Sequence, residues 1–119
     1  MTALSAYISG VFFRDLGVDP KNCIRVQCVG DSMEPLIHEH DYVLIDTAQR
    51  YRVIDGKVYA IAVDNSLRIK RLYKQINKGL VIHSDNPAYH DEIIPAELVD
   101  STVNIIGRVI DRSGSDAFR

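Results

Sequence analysis

The sequence predicts a mainly β domain of short, twisted, largely antiparallel sheets with one short N-terminal helix. Three observations carry this expectation. Apolar residues recur at every second position from Ile24 onward, and turn-forming pairs such as Asp55-Gly56 and Asp64-Asn65 separate the runs. The chain has 119 residues, 46% hydrophobic and 25% charged, which suits one folded unit with its own core.

Taken in order, residues 9–16 are expected to form a short helix that stops at Gly17, because glycine readily takes the left-handed position after a helix end. Ile24, Val26 and Cys28 alternate with Arg25 and Gln27, the pattern of a half-buried strand that ends at Gly30-Asp31. Further strands are expected over 42–46, 57–63, 67–73, 79–83 and 103–110. The second and third of these flank Asp64-Asn65 and read as a hairpin. In 67–73, Leu67, Ile69, Arg71 and Tyr73 share one face, whereas Arg68, Lys70 and Leu72 share the other. Alternation alone leaves open which face is buried. Residues 103–110 are apolar on both parities, as in a strand covered on both sides. Residues 113–119 read as a loose tail.

The charge balance narrows the function classes. Sixteen acidic residues against 14 basic ones give a net charge of -2, without the basic excess of a free-standing phosphate-backbone binder. No apolar run approaches the ~18 residues that would span a bilayer, so no membrane partner is expected. The N-terminal segment lacks the pattern of a secretory signal, and a cytoplasmic location is expected. Cys23 and Cys28 do not make a CxxC pair and read as reduced thiols. His38, Glu39, His40 and Asp41, with the distant His83, His90 and Asp91, lack a placed third ligand. Neither a metal nor a cofactor is expected.

The informative stretch is Gly30-Asp31-Ser32-Met33-Glu34-Pro35. A strand runs into a Gly-Asp turn, and Pro35 prevents a long helix from starting before it. Ser32 thus stands at a strand end, where backbone amides can stabilise charge developing on a carbonyl oxygen. A serine in such a turn commonly does no more than satisfy backbone groups. As a nucleophile it needs a base. None of the four histidines is tied to it by spacing, and a Ser-His-Asp arrangement stays open because triads are defined in space. Lys70 is the other candidate. A free lysine has a pKa of about 10.4, and lowering it to about 7 requires roughly 4–5 kcal/mol of differential destabilisation. Ile69 and Leu72 supply apolar surroundings, and Arg68 and Arg71 add positive field. The competing reading is a solvated basic strand with snorkelling side chains.

Together, GDSMEP at 30–35, DYVLID at 41–46, DGKVYAIAVD at 55–64, IKRL at 69–72, HSDNPAY at 83–89 and IIGRVI at 105–110 resemble a known family. They are similar, in order and over nearly the whole chain, to the Ser-Lys self-cleaving peptidases of LexA, the UmuD mutagenesis proteins and phage repressor C-terminal domains. The resemblance implies a LexA/signal-peptidase-like fold, with Ser32 as nucleophile and Lys70 as general base. It also implies an oxyanion site of amides around Ser32, with Met33 beside Ser32 in the substrate cleft. The C-terminal strand is then expected to help form a homodimer. Residues 1–119 would be the peptidase and dimerisation domain of a repressor in the SOS response or a phage. It would cut its own linker, with a RecA filament as possible co-protease, and reach DNA only through a separate N-terminal domain.

Two features depart from the family pattern. The polar turn usually carries Gly-Asp but here reads His40-Asp41, which places histidine at a left-handed position at some strain. An Ala-Gly or Cys-Gly cleavage bond upstream of the nucleophile is missing, and Ser9-Gly10 does not replace it. The chain therefore reads as the C-terminal piece of a longer regulator. The alternatives are a non-cleaving dimerisation or sensing module of a transcriptional regulator with the same fold, and a signal peptidase. Gly30 in place of a hydroxyl residue counts against the latter.

Overall fold

A computed structural model of the protein describes residues 13–114. Residues 13–16 are helical, and Gly17 follows at φ 68° with its N–H bonded to the Arg14 carbonyl. The rest of the helix expected over 9–16 lies outside the described residues. A 3-10 turn at Pro20–Asn22 is capped by the Asp19 carboxylate, which accepts from the Lys21 amide at 2.9 Å.

Seven strands follow: β1 (Cys23–Gln27), β2 (Tyr42–Asp46), β3 (Lys57–Val63), β4 (Ser66–Lys74), β5 (Leu80–His83), β6 (Glu92–Ile94) and β7 (Val103–Ser113). They form one sheet in the order β1-β2-β7-β3-β4-β5-β6, with every pairing antiparallel. The mainly β architecture therefore holds, as a single sheet in place of several. β6 and the short helix Ala96–Thr102 were not expected. Three residues are too few to show alternation, and the helix has no side-chain cap to mark its start at Pro95. β7 runs on to Ser113, so the expected tail begins within the strand. Residues 115–119 lie outside the described residues.

The Asp64-Asn65 hairpin is tight because both central residues have positive φ, 50° and 61°, the type I′ geometry whose twist matches that of the flanking strands. It sets the register of β3 against β4, from Val63 opposite Ser66 to Lys57 opposite Leu72. Successive residues of β3 feed two different cores. Val58 and Ala60 pack with Cys28, Met33, Ile37, Val43, Ile45 and Ile69; Tyr59, Ile61 and Val63 pack with Leu72, Leu80, Ile82 and Val103. Both faces of the sheet are thus covered, and β4 serves both, through Ile69 on one side and Leu72 on the other.

The last strand of the chain sits near the middle of the sheet. Ile105 packs on one core, and Ile106 and Val109 pack on the other, in line with their apolar character on both parities. Gly107 makes this insertion possible. A Cβ there would stand 2.5 Å from the Asp46 carbonyl oxygen and 2.7 Å from Ile45 Cγ2, closer than any side chain tolerates. Among the described residues, no helix is long and apolar enough to cross a membrane.

Candidate active site

Ser32 lies in the loop that follows β1, and the loop is held from below. Gly30 adopts φ 87°, and its N–H donates to the Glu39 carboxylate at 3.0 Å. The Met33 side chain is fully buried, packed with Cys28 and Ile37 in the core, while its carbonyl accepts from the Ile37 amide. Met33 is therefore not brought into the cavity beside Ser32; it anchors the turn that carries Ser32. Cys28 bonds the segment 40–41 twice, accepting from the His40 amide and donating to the Asp41 carbonyl. At this junction His40 has φ 72°, the left-handed conformation expected of the His40-Asp41 turn.

Lys70 lies on β4 opposite Tyr59. The β4–β5 pairing begins only at Arg71, opposite His83, so residues 66–70 are paired on the β3 side and face a cavity on the other. The cavity measures about 420 Å³. Residues 28–32 form one wall and 66–70 the other, with Tyr89 and Glu92 also lining it. Ser32 and Lys70 thus share one cavity, and none of the four histidines lines it.

Lys70 is half-buried, and its Nζ donates to Ser84 Oγ at 2.8 Å; Ser84 itself is 4% exposed. Burial pushes the Lys70 amine below the ordinary lysine range. Arg68 pushes it further down, against opposing pulls from Glu92 and Cys28. The Cys28 thiol, on the facing wall, is pushed up by burial and by the nearby Asp41 and Glu39.

The two walls are joined by the segment that follows β5. Ser84 receives Lys70, and Asp85 takes a two-pronged hydrogen bond from Arg71, at 2.9 and 2.7 Å. Asn86 reaches the other wall: its amide donates to the Ser32 carbonyl at 2.9 Å and its side chain to the Asp31 carbonyl at 3.0 Å. The Tyr89 hydroxyl bonds the Asp31 carboxylate. Ser84, Asp85, Asn86 and Tyr89 were not picked out as site residues from the sequence. Their only signal was the run HSDNPAY, whose contacts at Asp31 lie more than 50 positions away along the chain.

A family model described as Peptidase S24-like matches residues 3–110. The chain belongs to the S24-like peptidase family. Similar proteins are regulators. This S24-like chain is 35% identical over 98 residues to the HTH-type transcriptional regulator PrtR of Pseudomonas aeruginosa, covering 81% of the chain and 38% of that protein. It is 44% identical over 80 residues to the repressor protein CI of Enterobacteria phage phi80, covering 67% of the chain and 32% of the repressor. It is 35% identical over 83 residues to the LexA repressor of Deinococcus radiodurans, covering 67% of the chain and 38% of the repressor. The S24-like chain thus spans between 32% and 38% of the length of these relatives.

Proposed function

We propose that this S24-like chain is the self-cleaving serine endopeptidase part of a transcriptional repressor, with Ser32 as nucleophile and Lys70 as general base. One observation carries the reading: a half-buried turn serine and a partly desolvated lysine, distant in sequence, line the same cavity. In the neutral form, Lys70 Nζ takes the proton of Ser32 Oγ as the oxygen attacks a peptide carbonyl carbon. The carbonyl oxygen gains negative charge, which backbone amides around Ser32 are suited to stabilise, the Gly30 N–H being already held by Glu39. The Lys70 ammonium then returns the proton to the departing amine, and the C–N bond breaks. Water hydrolyses the remaining Ser32 ester with Lys70 again as base. Ser84 holds Nζ at a fixed place in this cycle, while Met33 and Asn86 fix the turn.

The substrate is the linker that joins this domain to an upstream DNA-binding domain. Cutting it separates the DNA readers from the dimerising part, and operator affinity falls as two tethered readers become independent. β7 contributes to the homodimer, and a RecA filament serves as the inducing partner. The similarity to PrtR, CI and LexA supports this role.

The test is labelling of Ser32 by a serine-directed phosphonate, followed by mass spectrometry, together with cleavage of a supplied Ala-Gly linker peptide. Both reactions are expected to accelerate as pH rises and to vanish in Ser32→Ala and Lys70→Ala. A dimer that shows no labelling even at high pH would instead favour a non-cleaving dimerisation or sensing module.

A further inference from the structure

Tyr89 is a side chain that touches both walls of the cavity. Its hydroxyl bonds the carboxylate of Asp31, the residue immediately before Ser32. Its ring faces the Lys70 ammonium, with Nζ 5.6 Å from the ring centroid, within the range of a cation–π contact. The two handles are chemically separate, since the hydroxyl grips the turn and the π face meets the amine. The backbone reinforces the first. The Tyr89 amide donates to the Asn86 carbonyl at 3.1 Å, and Asn86 in turn holds the carbonyls of Asp31 and Ser32. The hydrogen bond to Asp31 also pushes the Tyr89 phenol up, so the hydroxyl stays a donor as pH rises.

We propose that Tyr89 is a positioning residue that ties the Ser32 turn to the Lys70 strand and favours the charged form of Lys70. The inference rests on the Ser-Lys reading and deepens it, because it assigns a restraint on the base to a residue outside the dyad. The other groups around Lys70 are Arg68 on its own strand, Glu92 at the start of β6, Cys28 on the facing wall and the Ser84 hydroxyl. Burial and Arg68 drive the amine toward neutrality, whereas Glu92 and Cys28 oppose them; in this proposal the Tyr89 ring, 5.6 Å from Nζ, adds to the opposition. A substrate that displaced the ring would remove one of these opposing contacts and leave the amine readier to accept the serine proton.

Two substitutions separate the handles. Tyr89→Phe keeps the ring and loses the hydroxyl; Tyr89→Leu keeps apolar cover and loses both. Tyr89 is 45% exposed in a loop, so neither change disturbs the core. The first measurement is an NMR titration of Lys70 Nζ in the whole chain, which needs no catalysis. Wild type and Y89F are expected to titrate together, and Y89L lower by about half a pH unit. The amide resonances of Asp31 and Ser32 are expected to shift in Y89F. The second measurement is the phosphonate labelling rate at Ser32. Y89F is expected to be several-fold slower with an unchanged pH midpoint, whereas Y89L moves the midpoint down. An unchanged Lys70 titration in Y89L, or unmoved Asp31 and Ser32 amides in Y89F, overturns the proposal. A wild type that resists labelling while these NMR shifts appear overturns the peptidase reading alone and supports the Tyr89 contacts.

Discussion

Lys70 Nζ donates to Ser84 Oγ across 2.8 Å, and Ser84 is nearly closed to solvent. The candidate base is therefore held in place by a residue 14 positions farther along the chain. A long lysine side chain has many rotamers, and a fixed acceptor at its tip selects among them. The same short segment then grips the Ser32 turn through Asn86 and Tyr89, so Lys70 and Ser32 are located relative to one another by a common strap.

Ser84→Ala removes that acceptor without touching Ser32. The phosphonate labelling rate at Ser32 is expected to fall roughly tenfold to a hundredfold, the size of effect that a small misplacement of a reacting group produces. Stability measured by urea unfolding should drop by only about 1 kcal/mol, the usual net worth of one hydrogen bond. A labelling rate equal to wild type would remove Ser84 from the site.

Arg68 and Glu92 act on Lys70 in opposite directions. The Lys70 amine is held below its ordinary range, and the reactive neutral form accumulates as pH rises through that lowered value. Arg68→Gln relieves a positive neighbour and raises the amine again, so the limb of the pH–rate profile should move to higher pH. Glu92→Gln should move it to lower pH. Both side chains are partly exposed and face each other at 3.4 Å, so the shifts should be a few tenths of a pH unit and shrink in high salt. Shifts of the same sign in the two variants would contradict the account.

Asp85 is the anionic partner of Arg71, with side-chain exposures of 15% and 24%. The Arg71 hydrogen bonds hold the Asp85 carboxyl below the usual carboxylate range. With the folded value depressed, the unfolded chain binds the proton more readily. The pair therefore contributes stability above the ordinary value of 3.8, and this is lost as pH falls through the lower folded value. Asp85→Asn is expected to cost about 2–3 kcal/mol at neutral pH, because it leaves a partly buried guanidinium without its anion. The stability gap to wild type should narrow below about pH 4 in urea melts.

His40 is an exposed residue at φ 72°. A non-glycine residue there carries strain of about 1 kcal/mol, partly offset in a glycine variant by the greater freedom of its unfolded chain. His40→Gly is expected to raise stability by roughly 0.5 kcal/mol, read as a higher thermal midpoint with Ser32 labelling unchanged. A lower midpoint would mean that the imidazole supports the turn.

Much of this architecture was legible along the chain. Strands 42–46 and 57–63 match β2 and β3 at both ends, because each is a short apolar run bounded by turn and charged residues. The Asp64-Asn65 hairpin was legible for the same reason, since few residue pairs accept two successive left-handed conformations. From the residues themselves the site was legible as two separate residue types, a serine after Gly-Asp and a lysine beside apolar neighbours, and only the family resemblance paired them. β6 and the helix Ala96–Thr102 were not, for want of period or cap. Met33 shows a subtler gap. A side chain next to Ser32 points either into the cleft or into the core, and here the turn directs it into the core.

Local stereochemistry is written residue by residue, so the amino-acid order alone determined the β character, the turns and the presence of a serine and a lysine suited to one another. Burial and partnership are sums over groups that meet only when distant strands pack. Tertiary structure alone decided that β7 inserts between β2 and β3, that 28–32 and 66–70 face each other across one cavity, and that Ser84, Asn86 and Tyr89 join its walls. The lowered proton affinity of Lys70 belongs to that second category, because desolvation and the field of Arg68 exist only in the folded chain.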